Sequence, residues 1–200
     1  MRALIEGHAR FLQKIAHEIP WDTEEIVQGQ NPEAVMLTCS DSRVVPGFFT
    51  RTGVGRIFVL RNAGNVAPVA GIGSSEEASI AYAVDVLRVP HLIVCGHTHC
   101  GAVAAAAAGT EGLDPSLRAW VGNIDLSAAR SNTATAQVWA NIQSQCARVS
   151  AYASVQRGLR EERLRIHAWC YDIQTGRIYR HNPKSDTIAE LLTGDAHEHT

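Results

Sequence analysis

The chain has 200 residues, 46% of them apolar and 19% charged, with a formal net charge of −2. That length fits one domain with a sizeable core, and the near-neutral balance leaves no basic footprint for a nucleic-acid partner. Five cysteines are an odd count, so at least one stands outside any intrachain disulfide. The chain also opens without a long apolar leader, so a reducing cytoplasmic setting is expected, where clustered cysteines bind metal or react.

The opening MRALIEGHARFLQKIAHEI places Leu4, Ile5, Phe11, Leu12 and Ile15 near one face of a helix over residues 2–17. After Pro20, WDTEE starts a short second helix with Asp22 or Thr23 as cap. Together they form an N-terminal helical arm over about residues 1–28 of one domain spanning 1–200. AVMLT (34–38) is a short apolar strand ending at a cysteine-bearing loop, and RIFVLR (56–61) is a second strand behind the turn residues Gly53 and Gly55. Residues 74–89 read as one helix, with a serine cap, acidic residues in the first turn and apolar residues at helical spacing.

HLIVC (91–95) is a third buried strand and GAVAAAAAG (101–109) a small-residue helix. Residues 89–110 carry no Asp, Glu, Lys or Arg and are long enough to cross a bilayer. But His91, Gly96, His97, His99, Gly101 and Gly109 interrupt them, so a buried strand and helix are expected, with no membrane partner. Helices over 114–130 and 133–157 follow, then a strand at RLRIHAWCYD (163–172), a turn at IQTG and a hairpin partner at RIYRH. Apolar strands alternating with helices predict an α/β fold: a mostly parallel four-stranded sheet with an antiparallel edge strand, flanked by helices.

Ligands in such sheets gather beyond the carboxyl ends of the strands, where Cys39 and the stretch Cys95–Cys100 fall. A zinc site draws borderline-soft donors from more than one segment. His97 and Cys100 have H-x-x-C spacing, which puts both on one side of a turn entering a helix. His99, next to Cys100, points away from it. Cys95, Cys146 and Cys170 lie in strands or a helix without neighbouring donors and read as small buried hydrophobes. Cys39, His97 and Cys100 remain as candidate ligands. In CSDSRVVPG, Asp41 and Arg43 stand at alternating positions, where carboxylate and guanidinium can pair bidentately beside the metal.

With C-x-D-S-R at 39–43, RNAGN at 61–65 and H-x-x-C-G at 97–101, the chain resembles the β-class carbonic anhydrases. GQNP before the first strand, YAVDVL before the third and HAWCYDIQTG near the end extend the likeness over most of the chain. The resemblance implies one Zn²⁺ per subunit, held by Cys39, His97 and Cys100, and reversible hydration of carbon dioxide to bicarbonate. It makes Asp41 and Arg43 a catalytic pair and Gln30 a donor to bicarbonate. Tyr82 would line the pocket from a partner subunit, in a tight dimer that can pair into tetramers or larger assemblies; packaging in a bacterial compartment is compatible with it. Gly64 and Gly101 allow backbone approach or a turn, and Arg61 and Asn65 brace the loops near the site. The chain departs from the family pattern at Val69 and Ala70, where an aromatic wall residue is usual, and at Ala81 and Ala102. Met36 stands where one subgroup carries a regulatory tryptophan.

Two thiolates donate more charge to zinc than imidazoles do, so activity is expected to rise toward alkaline pH. His99 and the terminal HEHT titrate in the range of a proton carrier but read as solvated surface histidines, so no shuttle is named. The same zinc would also suit hydrolysis of carbon disulfide or carbonyl sulfide. A non-catalytic zinc scaffold would need a fourth protein ligand, and a thiol redox role lacks a C-x-x-C pair.

Overall fold

The computed structural model describes residues 1–17 and 23–191. Two helices, α1 (Arg2–His17) and α2 (Thr23–Gln28), precede strand β1 (Ala34–Cys39). There follow a short helix α3 (Pro46–Phe49), β2 (Ile57–Asn62), α4 (Ser75–Ala81) running into a π-helical turn (Tyr82–Val86), and β3 (His91–His97). Helices α5 (Gly101–Ala108), α6 (Pro115–Val121), α7 (Ala134–Ser150) and α8 (Ala153–Arg160) lead to β4 (Arg165–Tyr171), β5 (Ile178–Asn182) and β6 (Thr187–Glu190). Pro20, the expected cap at Asp22, and the terminal HEHT lie outside the described residues.

The sheet runs β2-β1-β3-β4-β5-β6, with the first four strands parallel and the last two antiparallel. The expected architecture holds, but a second antiparallel strand, β6, extends the edge. Its residues are largely exposed, so it carries no burial pattern by which its sequence could announce it. From β1 the chain goes to β2 on one side and then to β3 on the other. This reversal opens a crevice at the carboxyl ends of β1 and β3, the general ligand position in open α/β sheets.

All six residues of β1 are buried, because helices or loops cover both faces of the sheet. On one face Val35, Leu37, Leu92 and Val94 pack with Ile80, Val84, Val138, Ile142, Val149 and Tyr152. On the other, Ala34, Met36, Ile93 and Cys95 pack with Phe49, Ile57, Trp169 and Tyr171. Each buried Val, Leu or Ile contributes roughly 1.5–3 kcal/mol, so the two faces together anchor β1 and β3 firmly beneath the crevice.

Three helix expectations need correction. Residues 74–89 are not one α-helix: Ser74 caps α4 through the Glu77 amide at 3.1 Å, but the ladder widens after Ala81, and the Leu87 N–H reaches Tyr82 O at 3.1 Å. Arg163 there donates to Val84 O at 2.8 Å and pairs with Asp85, a tertiary competitor of the kind that widens a helical ladder. The helix expected over 114–130 ends at Val121, where Asn123 Nδ2 turns back onto Trp120 O at 3.1 Å. The one expected over 133–157 breaks between α7 and α8, where the Tyr152 hydroxyl donates to Pro68 O at 2.8 Å and holds a fully buried ring. β3 runs two residues beyond the expected 91–95, so His97 ends a strand instead of standing in a turn.

Candidate metal centre

β1 ends at Cys39 and β3 at His97, side by side in the middle of the sheet. Thr98 and His99 turn the chain, and Cys100 is the N-cap of α5. His99 adopts a left-handed conformation with φ 58°, uncommon for a residue with a Cβ. This turn brings Cys100 back beside His97 and leaves His99 exposed.

The ligand atoms of Cys39, His97 and Cys100 all lie within 4.8 Å of one another, and all three residues are buried. The two sulfurs are 4.0 Å apart, near the ~3.8 Å that two Zn–S bonds of 2.3 Å make at a tetrahedral angle. His97 is fully buried, and its Nδ1 donates to Thr98 O at 2.8 Å. That bond puts the proton on Nδ1 and turns the lone pair of Nε2 toward the sulfurs. Nε2 is buried without a hydrogen-bond partner, a costly state for a polar atom that a metal ion would relieve. The donor set fits zinc, with two thiolates and one imidazole.

The two thiols do not behave alike. The Cys39 sulfur accepts backbone N–H groups from Asp41 at 3.4 Å and Gly64 at 3.3 Å. Its pKa falls to about 4, chiefly through the Cys100 thiol and against the effect of burial, with smaller help from the Gly64 and Asp41 amides. Cys100 moves the other way, raised by the Cys39 thiolate beside it and by burial. Without metal the pair thus shares one proton. Cys95 and Cys146 are pushed up to about 12 by burial, and Cys170 rises for the same reason. All three therefore stay protonated thiols in their apolar surroundings.

Asp41 stands at the rim. Its Oδ1 accepts from the Arg43 amide at 3.0 Å and from Arg43 Nε at 2.9 Å, and its Oδ2 accepts from Arg43 Nη2 at 2.7 Å. This guanidinium holds the carboxyl well below the usual carboxylate range. Asp41 Oδ2 lies 3.9 Å from His97 Nε2, beside the donors yet tied to Arg43. Arg61 braces the loop, donating to Cys39 O at 3.1 Å and Asp41 O at 2.7 Å. Asn62 clasps the next turn through the N–H and C=O of Val66, at 2.7 and 2.8 Å.

Of the other expected site residues, Gly101 directly follows Cys100, and Gln30 and Tyr82 come from elsewhere in the chain. Gln30 is exposed between α2 and β1. Tyr82 opens the π-helical turn, 43% exposed, its ring tilted against Phe58. Gly101 begins α5, and a Cβ there would meet nothing within 4 Å in this chain. Sequence reasoning missed Thr98. Its carbonyl fixes the His97 ring, while its hydroxyl donates to Asp172 Oδ1 at 3.0 Å and accepts from the Ile173 amide. Only the tertiary pairing of β3 with β4 brings these groups together.

The carbonic anhydrase family model matches residues 34–178. The chain belongs to the β-carbonic anhydrase family. The carbonic anhydrase of Pseudomonas aeruginosa is 36% identical over 192 residues, covering 89% of this chain and 86% of the relative. Carbonic anhydrase 1 of Escherichia coli O157:H7 is 34% identical over 190 residues, again covering 89% and 86%. Among solved β-carbonic anhydrases, CcaA superposes with a TM-score of 0.83 at 29% identity, over 96% of this chain and 99% of that one. A tetrameric β-carbonic anhydrase of Sordaria macrospora gives 0.77 at 26% identity, over 90% and 94%. Hydration of carbon dioxide is the activity of the β-carbonic anhydrase family, and the Cys-His-Cys group here could bind its metal. Among the described residues, no helix is long and apolar enough to cross a membrane.

Proposed function

We propose that this β-carbonic anhydrase is a zinc enzyme that interconverts carbon dioxide and bicarbonate, with Cys39, His97 and Cys100 as the metal ligands and Asp41 and Arg43 as the catalytic pair. The observation that carries this reading is the buried, partnerless Nε2 of His97 facing two sulfurs 4.0 Å apart, with an ion-paired carboxylate at the edge. When bound, zinc would supply Lewis acidity, lowering the pKa of water toward neutrality.

The chain's own residues do the rest. An ionised carboxylate only accepts hydrogen bonds, and Arg43 keeps Asp41 ionised. Asp41 would therefore accept a hydrogen bond from the O–H of the nucleophile, without taking its proton, and so orient an oxygen lone pair toward carbon dioxide. The same acceptor discourages groups without a proton from settling there. Arg43, through three hydrogen bonds, keeps Asp41 from becoming a ligand itself and closing the site. Gln30, Tyr82 and Gly101 are assigned to the substrate pocket, with Tyr82 contributed across a dimer interface. A cytoplasmic setting belongs to the same reading.

The test is metal content together with stopped-flow hydration of carbon dioxide, on wild type and Cys39→Ser. Wild type should hold about one zinc per chain and turn over, and Cys39→Ser should lose both, since one of three protein ligands is removed. Zinc bound at full occupancy in wild type without hydration activity would sink the reading. Carbon disulfide and carbonyl sulfide, assayed on the same preparation, would reveal activity on the sulfur analogues instead.

A further inference from the structure

The two sulfurs of the candidate centre differ in what supports them. Cys39 takes an N–H from Gly64, which lies in the loop joining β2 to α4. The N–H of Gly64 and the C=O of Ala63 are the two ends of one planar peptide. At the far end, Trp120 Nε1 of α6 donates to Ala63 O at 2.8 Å. The chain of groups is then indole N–H, peptide, and sulfur, in a line of hydrogen bonds that polarise one another. The next peptide is fixed as well: Asn141 Nδ2 of α7 donates to Gly64 O at 2.9 Å.

Asn141 is itself locked. It is 1% exposed, and Gln145, one turn on, donates to its Oδ1 at 2.9 Å. Gln145 Oε1 accepts from the Ala67 amide at 2.8 Å, so the amide pair grips the loop at two points. Gly64 has φ 81°, and a Cβ there would sit 2.9 Å from Ile124 Cδ1 and 3.1 Å from Ala102 Cβ. The loop is thus pressed onto α5 and the Ile124 side chain, with its one N–H aimed at Cys39.

We infer that Trp120 and Asn141 are positioning residues for the metal centre: they orient the Ala63–Gly64 peptide so that its N–H withdraws charge from the Cys39 thiolate. This rests on the assignment of Cys39 as a metal ligand. A thiolate relieved of charge donates less to the metal, which remains a stronger Lewis acid. Loss of either residue leaves the ligand set intact but makes the sulfur a stronger donor, and the pH–rate profile moves to higher pH.

The experiment compares Trp120→Phe and Asn141→Leu with Tyr152→Phe. The last removes a hydrogen bond to the same loop, at Pro68 O, without touching the Ala63–Gly64 peptide. Cobalt-substituted protein should show its sulfur-to-cobalt charge-transfer band at lower energy in the first two variants and unmoved in Tyr152→Phe. Hydration by the zinc forms of the first two should fall by about tenfold near neutral pH, a typical cost of losing a partner behind a metal ligand, and recover most of that loss at alkaline pH. An unmoved band with a rate lowered by the same factor at every pH would overturn the inference. A further measurement needs no variant. In nitrogen-labelled wild type loaded with spin-active cadmium, the Gly64 amide should couple to the metal through the sulfur, and an absent coupling would refute the N–H···S bond. Wild type that shows no sulfur-to-cobalt band at all would remove the metal assignment itself, an outcome distinct from a band that the variants fail to move.

Discussion

At Asp41 a carboxylate faces a buried imidazole nitrogen 3.9 Å away yet spends its bonding on Arg43. Replacing it by Asn removes the charge but keeps the shape. Asp41→Asn is expected to bind metal at wild-type stoichiometry while losing at least about a hundredfold in turnover, the lower range for a positioned proton-handling group; atomic absorption and stopped-flow hydration read the two effects separately. The cysteines make a second prediction. The neighbouring thiols move in opposite directions, Cys39 lowered and Cys100 raised, so the metal-free pair holds one proton between them. Metal uptake must displace that proton. A lightly buffered, metal-free sample at about pH 6 should therefore release about one thiol proton per site on titration with zinc, measured with an indicator dye; release of two would mean that Cys39 is protonated as well. The site's residue types and order were readable in the sequence, because C-x-D-S-R and H-x-x-C-G are local patterns. The left-handed turn at His99 and the carbonyl of Thr98 were not, because neither leaves a mark in residue type.

At the level of elements, β3 and α7 meet where Gly96 lies under Ile142. A Cβ on Gly96 would approach Ile142 Cγ1 to 2.6 Å and Cδ1 to 2.7 Å. Gly96→Ala should therefore destabilise the protein by about 1–3 kcal/mol through overpacking, seen as a lower melting temperature. The double variant Gly96→Ala with Ile142→Val should recover part of that loss, and no recovery would place the strain elsewhere. Strand and helix types came through well from periodicity. The ends did not: the helices expected over 74–89 and 133–157 change where a distant group intervenes, while the one expected over 114–130 stops at a local bond from Asn123. Tyr152 is held by Pro68 and Val84 by Arg163, and these partners lie far away in sequence.

For the whole molecule, α1 leaves Leu4, Ile5 and Leu12 at least half exposed, and Phe48 is 78% exposed. The open apolar face of α1 is the kind of surface that the proposed self-association would cover. Sedimentation of the wild-type protein should give at least a dimer, and Leu4→Glu with Leu12→Glu should shift it toward monomer. A wild type that remains monomeric across the concentration range would remove the proposed partner-subunit role of Tyr82.

Sequence alone determined the donor chemistry, the alternation that makes a parallel sheet, and the family, because these reside in residue type and local order. Tertiary structure decided which atoms meet. Pairing of β1 with β3 brings Cys39 beside His97, the His99 turn returns Cys100, and α6 and α7 aim a single peptide at one sulfur. Such meetings depend on hydrogen bonds between residues tens of positions apart, and their energy becomes available only once the chain has closed around its core.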